Sequence, residues 1–151
     1  MDFEKMSREE LIAKLKELEN RRAFTCEDHM KLIILDESPF TIWASDRDCK
    51  ITFWAGRCES LYNRTWKEVK GKDYVPLFVA DNEQAAARRD QIKIIDDAEV
   101  FHNFANDKNK YGNTLPLLTN CFRIKDPSCT DKYWNAEMGL IIDFLDEEKK
   151  D

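Results

Sequence analysis

The sequence lacks most of the patterns that reactive chemistry leaves in a chain. It has no glycine-rich phosphate loop, no metal-ligand spacing and no paired carboxylates of the kind a hydrolytic centre uses. Its five cysteines, Cys26, Cys49, Cys58, Cys121 and Cys129, are odd in number and scattered. None stands in a C-x-x-C pair, which speaks against a zinc ribbon or a dithiol redox centre. They are expected to be free thiols that pack as small hydrophobes in a reducing compartment. Long apolar runs are missing too. "LIIL" and "GLII" fall far short of the roughly 20 residues that a spanning helix needs. The N-terminus, "MDFEKMSREE", is charged where a signal peptide requires an apolar stretch. A cytoplasmic protein with no membrane partner is expected. There is no basic surplus, since 24 Lys and Arg face 30 Asp and Glu for a net charge of −6. Nothing is therefore available to replace counterions along a phosphate backbone, and nucleic acid is not an expected partner.

What is present suits one domain. The chain has 151 residues, of which 42% are hydrophobic, enough for a single core. Ser7 and Glu10 form an S-x-x-E capping box. Leu11, Ile12, Leu15 and Leu18 follow at helical spacing with charged residues between them. An isolated helix of this length is marginal in water, so the stripe of Leu11, Leu15 and Leu18 must cover something. A second copy of the same helix, or the outer face of a partner's sheet, is the expected occupant, which makes a homodimer the expected state; the alternative is that the helix folds back on its own domain. A second helix is expected from Thr25 to Leu35, ended by Pro39.

Strand character begins at Thr41. "TIWAS" and "KITFWA" are β-branched and aromatic, joined by an Asp46-Arg47-Asp48-Cys49 turn. Short helices are expected from Gly56 to Tyr62, stopped by a left-handed Asn63, and from Thr65 to Glu68, closed at Gly71. A longer one is expected from Asn82 to Asp96. It offers Ala85, Ala86, Arg89, Ile92 and Ile95 to one broad face. Three strands follow: Glu99 to Asn106, Leu115 to Lys125 and Tyr133 to Leu145. A strand pair and a strand trio around a helical middle predict an α+β fold: a five-stranded antiparallel sheet with short helices on one face and N-terminal helices before it.

In this order the pieces resemble a PAS domain, the small cup-shaped sensory module common in bacterial signalling proteins. "SPFTIWASDRDCKITFWAGRCESLYN" resembles the family's opening strand, D-x-D turn and second strand. "RTWKEVKGKDYVPLF" resembles its T-x-E-E-x-x-G-K segment, with Thr65, Glu68, Gly71 and Lys72 in place. Gly112 fits the turn before the long strand, and "MGLIIDFLD" resembles the closing one. Ala55 stands where the family usually has Asn, Asn63 where Gly is usual, and Asp143-Phe144-Leu145 where Asp-Ile-Thr couples the domain to an output helix. The expected organisation is a helical extension over 1–38, a PAS domain over 39–146 and a charged tail over 147–151, either with altered coupling or as a fragment of a longer protein.

The resemblance implies a sensor that binds a small ligand in an apolar cup, passes its state through dimer contacts to a partner such as a kinase or regulator, and catalyses nothing. The alternative is a ligand-free dimerisation or docking module. The expected ligand-binding residues are Trp43, Trp54 and Phe78 among the aromatics, Arg89 and Ile92 on the long helix, and Asn120 and Phe122 on the long strand. On that strand, period-2 counting places Leu118, Asn120, Phe122 and Ile124 on the cup face. Haem is not expected, because the helix that carries the iron-binding His in haem-sensing relatives has none here, and His29 and His102 lie elsewhere. A flavin adduct is not expected either, since "GKDYVPLF" lacks the reactive Cys of light-sensing relatives. An enzyme on this scaffold would need a carboxylate on an inner strand face. Asp107 and Glu137 are the candidates, and both are expected to be exposed.

Overall fold

A computed structural model describes residues 3–22 and 26–142. The chain divides into two compact units, residues 1–34 and residues 35–151. The first carries helix α1 (Arg8–Arg22) and most of helix α2 (Cys26–Glu37). The expected capping box opens α1. The Ser7 amide donates to Glu10 Oε2 at 2.9 Å, and the Glu10 amide donates to Ser7 Oγ at 3.2 Å. Ile12, Leu15 and Leu18 on α1, and Met30, Leu32, Ile33 and Ile34 on α2, are exposed.

The second unit is the expected sheet. Strands β1 (Thr41–Ser45), β2 (Ile51–Gly56), β3 (Phe101–Lys108), β4 (Thr114–Lys125) and β5 (Tyr133–Ile141) lie in the order β2-β1-β5-β4-β3, with every neighbouring pair antiparallel. The first and last strands of the sequence set thus meet at the centre, and β3 is an edge. Residues 143–145 of the expected last strand, the Asp143-Phe144-Leu145 triplet and the tail beyond it lie outside the described residues, as does Thr25.

The turns follow from local chemistry. Asp46 Oδ1 accepts from the amides of Asp48 and Lys50 at 2.9 and 3.0 Å, which closes the β1–β2 hairpin. Asn63 adopts φ 54° and ψ 39° and stops helix α3 (Cys58–Tyr62). Thr65 and Glu68 form a complete capping box on helix α4 (Trp66–Val69). Helix α5 (Tyr74–Phe78) starts on Asp73, whose carboxylate accepts from the Val75 amide. Helix α6 (Gln84–Asp97) follows a short 3-10 turn over Asp81–Glu83.

The core fills the inner face of β1 and β2. Trp43, Ile51, Cys58, Tyr62, Val69, Val75 and Phe78 are buried together. The aromatic rings interlock, with Trp43 edge-on to Phe78 at 5.5 Å and to Tyr74 at 4.8 Å, and Tyr62 against Phe78 at 4.5 Å. Such pairs add roughly 0.5–1.5 kcal/mol each beyond the area they bury.

Gly56 is where the sheet meets α3. Its φ is +62°, and a Cβ there would stand 2.1 Å from the Phe40 carbonyl oxygen, the same oxygen that accepts from the Arg57 amide at 2.9 Å. Gly71 has φ +72° with nothing within 4 Å of such a Cβ. Gly71→Ala is expected to cost about 1–2 kcal/mol, the left-handed strain alone. Gly56→Ala is expected to cost at least twice as much in denaturant unfolding. Equal losses at the two positions would show that the Phe40 contact does not constrain the fold.

Candidate functional site

The inner face of the sheet is only half filled. Over β1 and β2 the aromatic core closes it. Over β3, β4 and β5 it is bounded by α6, and a cavity of about 370 Å³ lies between. That volume falls within the range of small-molecule sites. Strand pairing decides what faces it. Phe101 pairs with Cys121, Asn103 with Thr119, Cys121 with Glu137, and Trp43 with Glu137, so these residues share the inner face. Trp43, Tyr74, Phe78 and Phe101 supply the aromatic wall, while Ala87, Gln91 and Ile94 of α6 form the opposite one.

Gln91 holds α6 at its distance. It is 1% exposed. Its Oε1 accepts from the Tyr74 hydroxyl at 2.9 Å and from Asn135 Nδ2 at 2.7 Å, and its Nε2 donates to Ser45 Oγ and to the Asp46 carbonyl, both at 2.7 Å. One amide thus ties α5, α6, β1 and β5, and a buried amide is stable only when so satisfied. Two neighbouring polar atoms are not satisfied. Asn135 Oδ1 and Trp43 Nε1 are buried without a hydrogen-bond partner, and both residues line the cavity.

The cavity also holds carboxyl groups. Asp107 on β3 is buried and accepts from the Tyr62 hydroxyl at 2.6 Å. Burial is the largest influence and pushes its carboxyl up to about 6, with Glu83 adding to the rise and the Tyr62 hydrogen bond opposing it. Glu137 on β5 lines the cavity. Desolvation first, and then the Asp107 charge, hold its carboxyl well above the ordinary range. The thiols nearby are not activated. Burial raises Cys121 strongly, and raises Cys58 to about 12. Among the described residues, no three His, Cys, Asp or Glu side chains converge as metal ligands.

Of the residues expected to bind a ligand, Trp43 and Phe78 line the cavity. Trp54 lies behind Phe78, stacked at 5.7 Å, and its indole donates to the Arg64 carbonyl at 3.0 Å. The remaining four lie elsewhere. Asn120 and Phe122 project from the outer face of β4, where Asn120 Oδ1 meets His102 Nδ1. The cup-facing set on β4 is Leu115, Leu117, Thr119 and Cys121 instead of Leu118, Asn120, Phe122 and Ile124. The outer face is itself apolar, with Phe53, Phe104, Leu118 and Leu140 exposed on it, so alternation alone did not say which side was inside. Arg89 and Ile92 are exposed, because α6 turns Ala87, Gln91 and Ile94 to the sheet. The expectation that Asp107 and Glu137 are exposed is also corrected. Their strand parity is inward, and Tyr62 covers Asp107 from α3.

No family model matches the sequence, and no curated protein matches it either. Solved structures do. The PAS domain of a protein from Colwellia psychrerythraea superposes with a TM-score of 0.63 at 14% identity, covering 76% of this chain and 95% of that one. This chain has the PAS fold. The PAS domain of the HTR-like protein from Haloarcula marismortui gives a TM-score of 0.62 at 14% identity, covering 77% of this chain and 97% of that one. The quorum-sensing receptor PAS domain of RpfR from Cronobacter turicensis, in complex with BDSF, gives 0.59 at 18% identity, covering 72% and 98%. A PAS fold hosts many functions, so function rests on the site itself. No helix among the described residues is long and apolar enough to cross a membrane.

The buried acids give the PAS cup a measurable pH signature. A carboxyl raised in the folded state stabilises the fold while it is protonated. The Asp107 contribution is fully present below the unfolded carboxylate value near pH 4 and is lost as pH rises through about 6. Asp107→Asn keeps an acceptor for Tyr62 and removes the charge. It is expected to stabilise the protein by on the order of 2 kcal/mol at pH 8 and to leave it unchanged near pH 4. Urea unfolding of both proteins at the two pH values reads the difference and cancels every other titrating group. Equal destabilisation at both would mean that Asp107 is not held neutral by burial.

Proposed function

We propose that this chain is a sensory, signal-transducing PAS module that binds a small ligand in its cup, without catalysis, and passes the ligand's state on through dimer contacts. The observation that carries the reading is the 370 Å³ cavity together with the two buried polar atoms, Trp43 Nε1 and Asn135 Oδ1, that the protein leaves unpartnered beside it. A cup filled by its own side chains gains nothing from such atoms, because each costs the desolvation of an unmade hydrogen bond. A ligand that partners them recovers that cost. The ligand-bound state of the Cronobacter turicensis receptor domain supports the same use of this fold.

The absence of catalysis is argued from chemistry. The thiols nearest the cavity are held protonated by burial. The carboxyl that faces Cys121, Glu137, raises the thiol further instead of lowering it, so the sulfur is not activated as a nucleophile.

The route from cup to partner runs through Gln91. Asn135 touches both the cavity and Gln91, and Gln91 reaches β1 at Ser45 and Asp46. A ligand that binds Asn135 differently in two arrangements of this network shifts their populations. The exposed apolar residues of α1 support the dimer part of the reading, since Leu15 is 59% and Leu18 39% exposed.

Native mass spectrometry of the purified protein tests both parts. A dimer carrying a small molecule is expected, and Ala87→Trp, which places an indole in the cavity, is expected to remove that molecule and leave the dimer. A ligand-free mass for the wild-type protein, with thermal unfolding unaffected by any extract of its host, would favour the docking module. Replacing Leu11, Leu15 and Leu18 by Gln is expected to give a smaller species in sedimentation at unchanged thermal stability. An unchanged mass with a lowered melting temperature would remove the α1 seam.

A further inference from the structure

The charges around the cup are of one sign. Glu83, Asp90, Asp107 and Glu137 line the cavity, and among the described residues no Lys, Arg or His does. Two cations on the bounding elements are engaged with other partners. Arg123 donates to the Ile95 carbonyl at 3.2 Å and lies over the Tyr133 ring at 3.9 Å, and Arg88 pairs with Asp73 at 2.8 Å. Of the four acids Asp107 is buried and Glu137 half-buried, and carboxylates there are costly unless something neutralises them.

An independent observation points the same way. Asn135 stands two residues before Glu137 on β5, so the two side chains share one face. Asn135 is 95% buried (5% exposed), its amide nitrogen is spent on Gln91, and its Oδ1 is a lone acceptor without a donor. A carboxylate and an unpartnered amide oxygen on one face ask for a group with several donors and no acceptor. The walls are Trp43, Tyr74, Phe78 and Phe101, whose ring faces attract cations.

We propose that the cup takes a small organic cation, a protonated amine on an apolar body, with its ammonium group held by Glu137 and the Asn135 side-chain oxygen. This rests on the reading of the cup as a ligand site and adds the ligand's class. An ammonium is all donors, so it satisfies these oxygens and neutralises the buried charge in one step. The body lies against the aromatic wall, and any acceptor it carries meets Trp43 Nε1. Binding is coupled to ionisation of the acids. The groups that face them are Tyr62 and Cys58 on α3, Tyr74 on α5, Glu83 in the 3-10 turn, Asp90 on α6 and Cys121 on β4, none of which is a cation. Affinity for an amine therefore rises with pH as the carboxyls release their protons.

The test is a ligand-observed NMR screen of the full chain at pH 7.5 with three matched sets. Phenethylamine, cyclohexylamine and N-methylbenzylamine are the cations. The corresponding alcohols are the neutral set and the corresponding carboxylates the anionic one. The expected result is binding by the amines, stronger at pH 8 than at pH 5, with affinity reduced at least tenfold by Glu137→Gln in a protein whose circular dichroism matches the wild type. Should that variant fail to fold, the pH dependence in the wild-type protein carries the test alone. Preferential binding of alcohols or carboxylates, or amine binding that weakens with rising pH, overturns the cation class and leaves the cup as a ligand site. No binding by any set, with no shift at the Trp43 indole, overturns the ligand site as well, and Asp107 and Glu137 then hold a proton for the fold alone.

Discussion

The structure depends on one buried side chain amide. Gln91 is inaccessible to solvent, yet it makes four hydrogen bonds to α5, β1 and β5. A Leu at this position would let α6 settle onto the sheet by packing. An amide cannot settle, because its oxygen and nitrogen must each keep their partners at hydrogen-bond distance. The separation between α6 and strands β1 and β5 is therefore fixed by polar geometry, and the cavity beside Gln91 is a consequence. Above β1 and β2, where Tyr62, Phe78 and the two Trp residues interlock, no such spacer exists and the face is closed.

The same division sorts the inner face chemically. The closed half is aromatic and aliphatic. The open half carries Asp107, Glu137, Asn135 and Thr119, arranged by strand parity on three adjacent strands. Tyr62 bridges the halves, with its ring in the aromatic cluster and its hydroxyl on Asp107. Burial holds that hydroxyl well above its ordinary range, so it is a fixed donor across the physiological range. The acid pair accordingly senses a low-dielectric pocket with one donor supplied by the protein and further donors left to a ligand.

How much of this the sequence carried depended on the range of the interaction. The Asp46 turn, the Thr65–Glu68 box and the left-handed Asn63 are contacts within five residues, and the residue types state them directly. Trp43 and Phe78 were legible as cup residues because large aromatics on a hairpin and an adjoining helix pack inward. Asn120 and Phe122 were misplaced by one step of register, since an apolar outer sheet face makes both parities look buried. Arg89 and Ile92 were misplaced because Gln91, a polar residue, sets the buried face of α6, and the apolar pattern of that helix points slightly aside. The burial of Asp107 comes from Tyr62, 45 positions earlier in the chain, a contact that only the topology creates.

The central claim is that the cup is a desolvated pocket whose carboxyls burial raises above their ordinary range. Carboxyl carbon NMR of Asp107 and Glu137 across pH 3 to 9 measures it most directly. The account predicts an Asp107 midpoint near 6 and a Glu137 midpoint well above the ordinary carboxylate range, with the Glu137 midpoint falling when an amine is added. Midpoints for both groups in the ordinary carboxylate range near pH 4, unmoved by amines, would contradict it.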